Sequence, residues 1–177
     1  MTMRRVRIVQ CGRNRASRVG TSGWASRKRA TNMALERLNL HVDGCSIGNP
    51  GDAGIGMVLS APTGDVLWEL GDYIGTATNN VAEYRALLRG LQEAIRLGVM
   101  EINVFTDSEL LVKQLRGEYR VKAPHLRPLY SDALRLLARF RSRRVRHVPR
   151  EQNKHADRLA EQAARSRQSV LPDMPDA

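Results

Sequence analysis

Four acids along this chain, Asp43, Glu83, Asp107 and Asp157, sit where they could act together. Carboxylates are hard oxygen donors of the kind Mg2+ prefers, and Mg2+ keeps several of its waters when a few of them bind it. Two such ions about 4 Å apart can clamp both the attacking water and the leaving oxygen of a phosphodiester. Competing chemistries lack their residues. No His or Cys cluster with zinc-ligand spacing occurs. Neither a G-x-S-x-G nucleophile turn nor a G-x-x-x-x-G-K-[ST] phosphate loop is present. Singly, each acid has an ordinary reading: an Asp after a strand forms turns, and a Glu near a helix start is a solvated charge or dipole partner. The case for chemistry is therefore a case for convergence.

The surrounding elements supply it. Residues 38–42 alternate and end on Asp43, and the apolar run 102–106 ends on Asp107. Both read as strands with an Asp at the carboxyl end. Open α/β sheets gather ligands at such ends, where the strand order reverses. Two carboxylates placed side by side raise each other's pKa, a penalty that a divalent cation removes. Glu83 falls in the first turns of a helix over 79–97 whose stripe is Val81, Tyr84, Leu88, Leu91 and Ile95. It lies about 100° from Tyr84, at the edge of the buried face. Asp157 flanks the stripe Ala156, Leu159, Ala160 and Ala163 in a last helix, with Asn153 as its expected cap.

The remaining pattern fills out a fold. Residues 46–51 form a turn cluster, and 54–60 and 66–73 read as strands that complete an antiparallel meander. Ser108 caps a helix to Leu115, Pro124 opens one to about Arg139, and 145–148 is a last strand. The order β-β-β-α-β-α-α-β-α predicts an α/β domain: a mixed sheet, three strands antiparallel and the later ones parallel, with helices on its faces.

Charge is distributed unevenly. The chain carries +11, but residues 1–32 hold nine Lys or Arg and no acid, so the rest carries only +2. The sequence divides into a basic extension over 1–37, a domain over 38–165 and a flexible tail over 166–177. The extension has three open readings: a basic arm that adds salt-sensitive affinity for phosphates, an Arg-rich, acid-poor targeting segment, or a stretch without function, with translation starting at Met33. No run approaches 18 apolar residues, so no membrane helix is expected. Two cysteines, Cys11 and Cys45, make no disulfide framework and suit a reducing, cytoplasmic setting.

Four blocks carry a resemblance: Asp43-Gly44-Cys45-Ser46 with Asn49-Pro50-Gly51; Thr78-Asn79-Asn80-Val81-Ala82-Glu83; Thr106-Asp107-Ser108; and Asn153-Lys154-His155-Ala156-Asp157-Arg158-Leu159-Ala160. In this order and spacing the chain resembles type 1 ribonuclease H over about 38–164. The resemblance implies a ribonuclease H-like five-stranded mixed sheet. It implies an endonuclease that cuts the RNA strand of RNA–DNA hybrids by a two-metal mechanism and leaves 5′-phosphate and 3′-hydroxyl ends. Asp43, Glu83, Asp107 and Asp157 would then be ligands for Mg2+, or Mn2+, two ions per site. Asn49, Asn79 and Asn80 match positions that contact the hybrid in its minor groove, a task suited to amides because a 2′-hydroxyl both donates and accepts. Gly44, Cys45, Ser46 and Ser108 would also face the substrate.

Two departures stand out. The loop before Asp157, residues 148–153, is short, and His147 precedes it at the expected end of the last strand. A partly buried structural His is the reading there. The resemblance implies Arg150 as the assisting residue, because short-loop branches of the family place an arginine there, and a guanidinium can stabilise charge developing on a phosphate. The basic helical protrusion of some members is also missing after Gly117, leaving Lys113, Arg116, Arg120 and Lys122 as candidates for phosphate contacts. The expected protein is a monomer acting on the hybrid and on no membrane. Rival readings are broader cleavage that includes double-stranded RNA, and a non-catalytic nucleic-acid-binding module on the same fold.

Overall fold

A computed structural model describes residues 36–170. The expectations for 1–32, and for the tail beyond Val170, lie outside the described residues. Five strands, β1 (Arg37–Ile47), β2 (Gly51–Ser60), β3 (Val66–Ala77), β4 (Glu101–Thr106) and β5 (Ser142–His147), form one sheet in the order β3-β2-β1-β4-β5. β1, β2 and β3 pair antiparallel, while β4 joins β1 and β5 joins β4 in parallel. The expected mixed sheet is present, and its order reverses between β1 and β4.

Among the described residues four α-helices accompany it: α1 (Asn79–Arg96), α2 (Glu109–Leu115), α3 (Arg127–Leu137) and α4 (Lys154–Ser166). Thr78 and Ser108 cap α1 and α2, their hydroxyls accepting from the Val81 and Leu111 N–H groups. Proline at the start of residues 124–126 makes a short 3-10 turn ahead of α3 rather than the single helix the pattern predicted. Leu38, Leu40 and Val42 of β1 and Ile102 and Val104 of β4 build a core with Tyr84, Leu87 and Leu91 of α1, Leu111 of α2 and Leu137 of α3. Three helices thus share one sheet face, and α4 packs on the other, against β1, β2 and β3.

The buried side of α1 differs from its apolar stripe. Ala82, Glu83, Tyr84, Ala86, Leu87, Gly90 and Leu91 are buried, whereas Val81, Leu88 and Ile95 are only partly so. Small residues give a weak apolar signal yet allow the closest approach, so the helix turns its Ala–Gly side to the sheet. Glu83 therefore lies inside the buried face rather than at its edge. The segment after α4 also departs from expectation, since residues 166–170 are docked. Arg167 pairs with Asp52, Ser169 donates to Asp72, and Val170 bridges Gly71.

Candidate active site

The β1–β4 ladder runs from Arg37 opposite Glu101 to His41 opposite Phe105 and then stops. Two residues further along the chain from each come Asp43, still on β1, and Asp107, just past the end of β4. β1 continues to Ile47 against β2, so Asp43 stands where β4 parts from β1 and not at the strand's end, as the alternation suggested. On the β4 side the fully buried Thr106 uses Oγ1 to accept from the Ser108 N–H at 3.1 Å, which turns the chain at Asp107.

Asp43 is 5% exposed. Burial, the charges of Asp107 and Asp157, and a hydrogen bond with Asp107 push its carboxyl up to about 7, against the pull of Arg150. Glu83, 6% exposed, is pushed well above the usual carboxylate range by burial and by the charges of Asp43 and Asp107. The Gly44 N–H donates to it, while its Oε2 is buried with no hydrogen-bond partner among the described residues. Gly44 is a packing requirement here. A Cβ at this position would lie 2.2 Å from the Glu83 nitrogen, so only glycine lets α1 rest on β1 at this point. Asp157, in the first turn of α4, accepts from Arg150 Nη2 at 2.7 Å.

Asn153 is the residue that sequence reasoning misread. It makes no capping hydrogen bond. Its side chain is 1% exposed, and Nδ2 donates to the Val42 carbonyl and to Asp107 Oδ1, both at 2.9 Å. Turning the amide over would set its oxygen against two acceptors, so the chemistry fixes its orientation. The only sequence signal was an Asn within a helix-opening block, which a cap explains equally well.

This donor set fits a hard divalent cation. Acids buried together at mutual electrostatic cost, one oxygen of which has no partner, are what such an ion would relieve. Among the described residues no three His, Cys, Asp or Glu side chains gather tightly enough to enclose an ion by themselves.

The other expected residues fall into two groups. Asn49 Oδ1 accepts from the Asn79 N–H at 3.0 Å, and Ser46 Oγ donates to the Ala77 carbonyl at 2.7 Å, so both hold the β1–β2 turn against the start of α1. Asn80 and Ser108 line a shallow cleft beside Glu83. Cys45 is half-buried, and burial raises its thiol pKa. His147, by contrast, pairs with Thr106 at the end of β5 and is exposed rather than partly buried. Lys113 is bound to Glu109 at 2.7 Å, and Arg116 donates to the Val145 carbonyl at 2.8 Å, while Arg120 and Lys122 are exposed.

A profile of the reverse transcriptase-like family matches residues 41–163. Bifunctional protein Rv2228c of Mycobacterium tuberculosis is 48% identical over 128 residues, 72% of this chain and 35% of its own length. The chain thus spans about a third of the first curated relatives it matches. Among solved structures, RNase H1 from the archaeon Halobacterium salinarum NRC-1 is 42% identical with a TM-score of 0.72, covering 73% of this chain and 98% of its own. LC11-RNase H1 in complex with an RNA/DNA hybrid is 39% identical with a TM-score of 0.70, covering 73% and 98%.

Proposed function

The chain belongs to the type 1 ribonuclease H family, and we propose that it is a metal-dependent endonuclease hydrolysing the RNA strand of RNA–DNA hybrids. The observation that carries this reading is the burial of Asp43 and Glu83 beside Asp107 and Asp157 where β1 and β4 part, with Glu83 Oε2 unpartnered. Such a cluster is costly unless cations occupy it. Asp43, Glu83, Asp107 and Asp157 would hold Mg2+ or Mn2+, two ions per site. When bound, the ions supply an activated water and neutralise charge at the phosphate.

The chain's own groups would do the rest. Arg150 is placed among the acids on an exposed side chain, able to move from Asp157 to a phosphate oxygen and offset the charge that builds there. Asn49, Asn79 and Asn80 would read the minor groove, where a 2′-hydroxyl distinguishes RNA from DNA. The backbone at Gly44, Cys45 and Ser46, together with Ser108, would line the RNA strand. Attack of water at phosphorus breaks the bond to the 3′ oxygen, leaving a 5′-phosphate and a 3′-hydroxyl. Residues 38–165 would suffice for this activity, acting as a monomer.

The test is cleavage of labelled RNA–DNA hybrid, double-stranded RNA and double-stranded DNA with Mg2+, Mn2+ or chelator. Metal-dependent cutting confined to the hybrid's RNA strand is expected, and Asp107→Asn should abolish it while the thermal melt survives. Cleavage of double-stranded RNA as well would replace hybrid specificity with the broader reading. Binding without cutting under either metal would refute an enzyme altogether.

A further inference from the structure

α4 packs against β1, β2 and β3, and from β1 at that helix's edge the same sheet face continues onto β4 and β5 and bears a patterned surface. Cross-strand registers set three rows on it: Arg37–Glu101–Ser142, Asn39–Asn103–Arg144 and His41–Phe105–Arg146. Alternation along the strands puts these side chains on the face opposite Leu38, Leu40, Ile102 and Val104. The next positions on the same face are Asp43 and Asp107, so the rows lead directly to the candidate active site. Within the middle row, Asn103 Nδ2 donates to Asn39 Oδ1 at 3.1 Å. In the upper row, His41 and Phe105 stack with centroids 4.8 Å apart and planes 17° from parallel. Glu101 is neutralised by Arg37 and Arg141. Arg144 and Arg146 are exposed and, among the described residues, make no hydrogen bond or ion pair.

We infer that this face is a track for a single strand of nucleic acid extending beyond the hybrid, with Arg144 and Arg146 holding its phosphates and the His41–Phe105 row meeting its bases. The inference rests on the proposed activity, since that activity brings a hybrid to the acids at the head of the track. The charge calls for a polyanion. The chain's own residues 1–32, with nine Lys or Arg and no acid, carry the wrong sign to cover it. The rows repeat every two residues, roughly 7 Å, and the guanidiniums stand on successive rows of one strand. Arginine suits phosphate because its planar fork can bind two oxygens at once. A sheet surface combining half-exposed rings, amides and cations suits splayed bases, whereas a duplex keeps its base faces hidden.

Binding of the full chain can be followed by fluorescence anisotropy in chelator, using a blunt hybrid and the same hybrid with a single-stranded extension on either strand. The extension should tighten binding by about tenfold, the effect of one modest base stack or phosphate pair. In the doubly substituted Arg144→Ala, Arg146→Ala variant that gain should vanish, and the salt slope on the extended probe should fall by roughly 1.4, two phosphates at about 0.7 each. Its affinity for the blunt hybrid should stay at the wild-type level. Both side chains are exposed, and a thermal melt confirms that the variant is folded. Equal affinity of the wild type for the blunt hybrid and for both extended hybrids, or an undiminished extension effect in the variant, would overturn the track. Because metal is absent from the binding assay, failure of the track is separable from failure of the nuclease, which would show as no cutting with Mg2+ or Mn2+.

Discussion

At the scale of single residues, the site depends on side chains whose roles differ from their sequence appearance. His147 ends β5 and Arg150 lies in the short loop that follows, yet only Arg150 reaches the acids, donating to Asp157. Arg150→Ala should slow turnover on the order of 100-fold, the usual loss when one group stabilising a developing oxyanion is removed. Stability should hardly change, because the side chain is 69% exposed. His147→Ala should stay near wild-type turnover, and single-turnover kinetics on hybrid would expose the reverse order if the assignment is mistaken. Asn153 presents the opposite balance. Asn153→Ala removes two hydrogen bonds, one buried and one partly so, and should cost about 2 kcal/mol in urea unfolding. Asn153→Asp keeps the shape but sets a carboxylate against Asp107, so it should lose more turnover than the alanine. Wild-type stability in Asn153→Ala would show that the amide holds nothing in place.

At the scale of elements, the active edge is aligned by close backbone contact. α4 brings both Asn153 and Asp157, and it lies flush on β2 because a Cβ at Gly56 would fall 2.0 Å from the Ala156 carbonyl oxygen. Gly56→Ala should therefore lift the helix, lower stability by roughly 3 kcal/mol, and reduce metal-dependent turnover together with it. Gly64→Ala is the control, since nothing lies within 4 Å of that position, although its φ of +98° carries some strain. Thermal melting of both variants would test this, and an unchanged Gly56→Ala melt would show that the helix has slack. These contacts explain what could be read in advance. The Asp after the strand at 107, the cap at Ser108 and the parallel crossovers follow local rules of alternation and capping, so they are legible. The buried side of α1 and the seat of α4 depend on Ala and Gly, whose contribution is proximity and not hydrophobicity. Asn153 shows the same gap at one residue, because an amide that bridges two strands looks like any helix cap until those strands are placed.

At the scale of the whole molecule, the net charge misleads, because its excess lies in residues 1–32 while the domain stores like charges of the other sign at one edge. That store makes stability depend on pH and metal together. The Asp43 carboxyl is raised from 3.8 to about 7, so between these values the folded, metal-free chain binds more protons than the unfolded chain. Its contribution is complete below about pH 4 and is lost as pH rises through 7, roughly 4 kcal/mol in all at about 1.4 kcal/mol per unit. In chelator, Asp43→Asn should accordingly melt higher than wild type at pH 8, with the difference shrinking at pH 5. Divalent cation reverses the sign. Ligand carboxylates must give up their protons to bind it, so stabilisation by Mg2+ should be small at pH 5 and large at pH 8. Calorimetric melts at both pH values, with Mg2+ or chelator, decide the matter. An equal Mg2+ shift at the two pH values, or an Asp43→Asn variant no more stable than wild type at pH 8 in chelator, would mean that the acids are not strained against one another and that the cluster has no need of a cation.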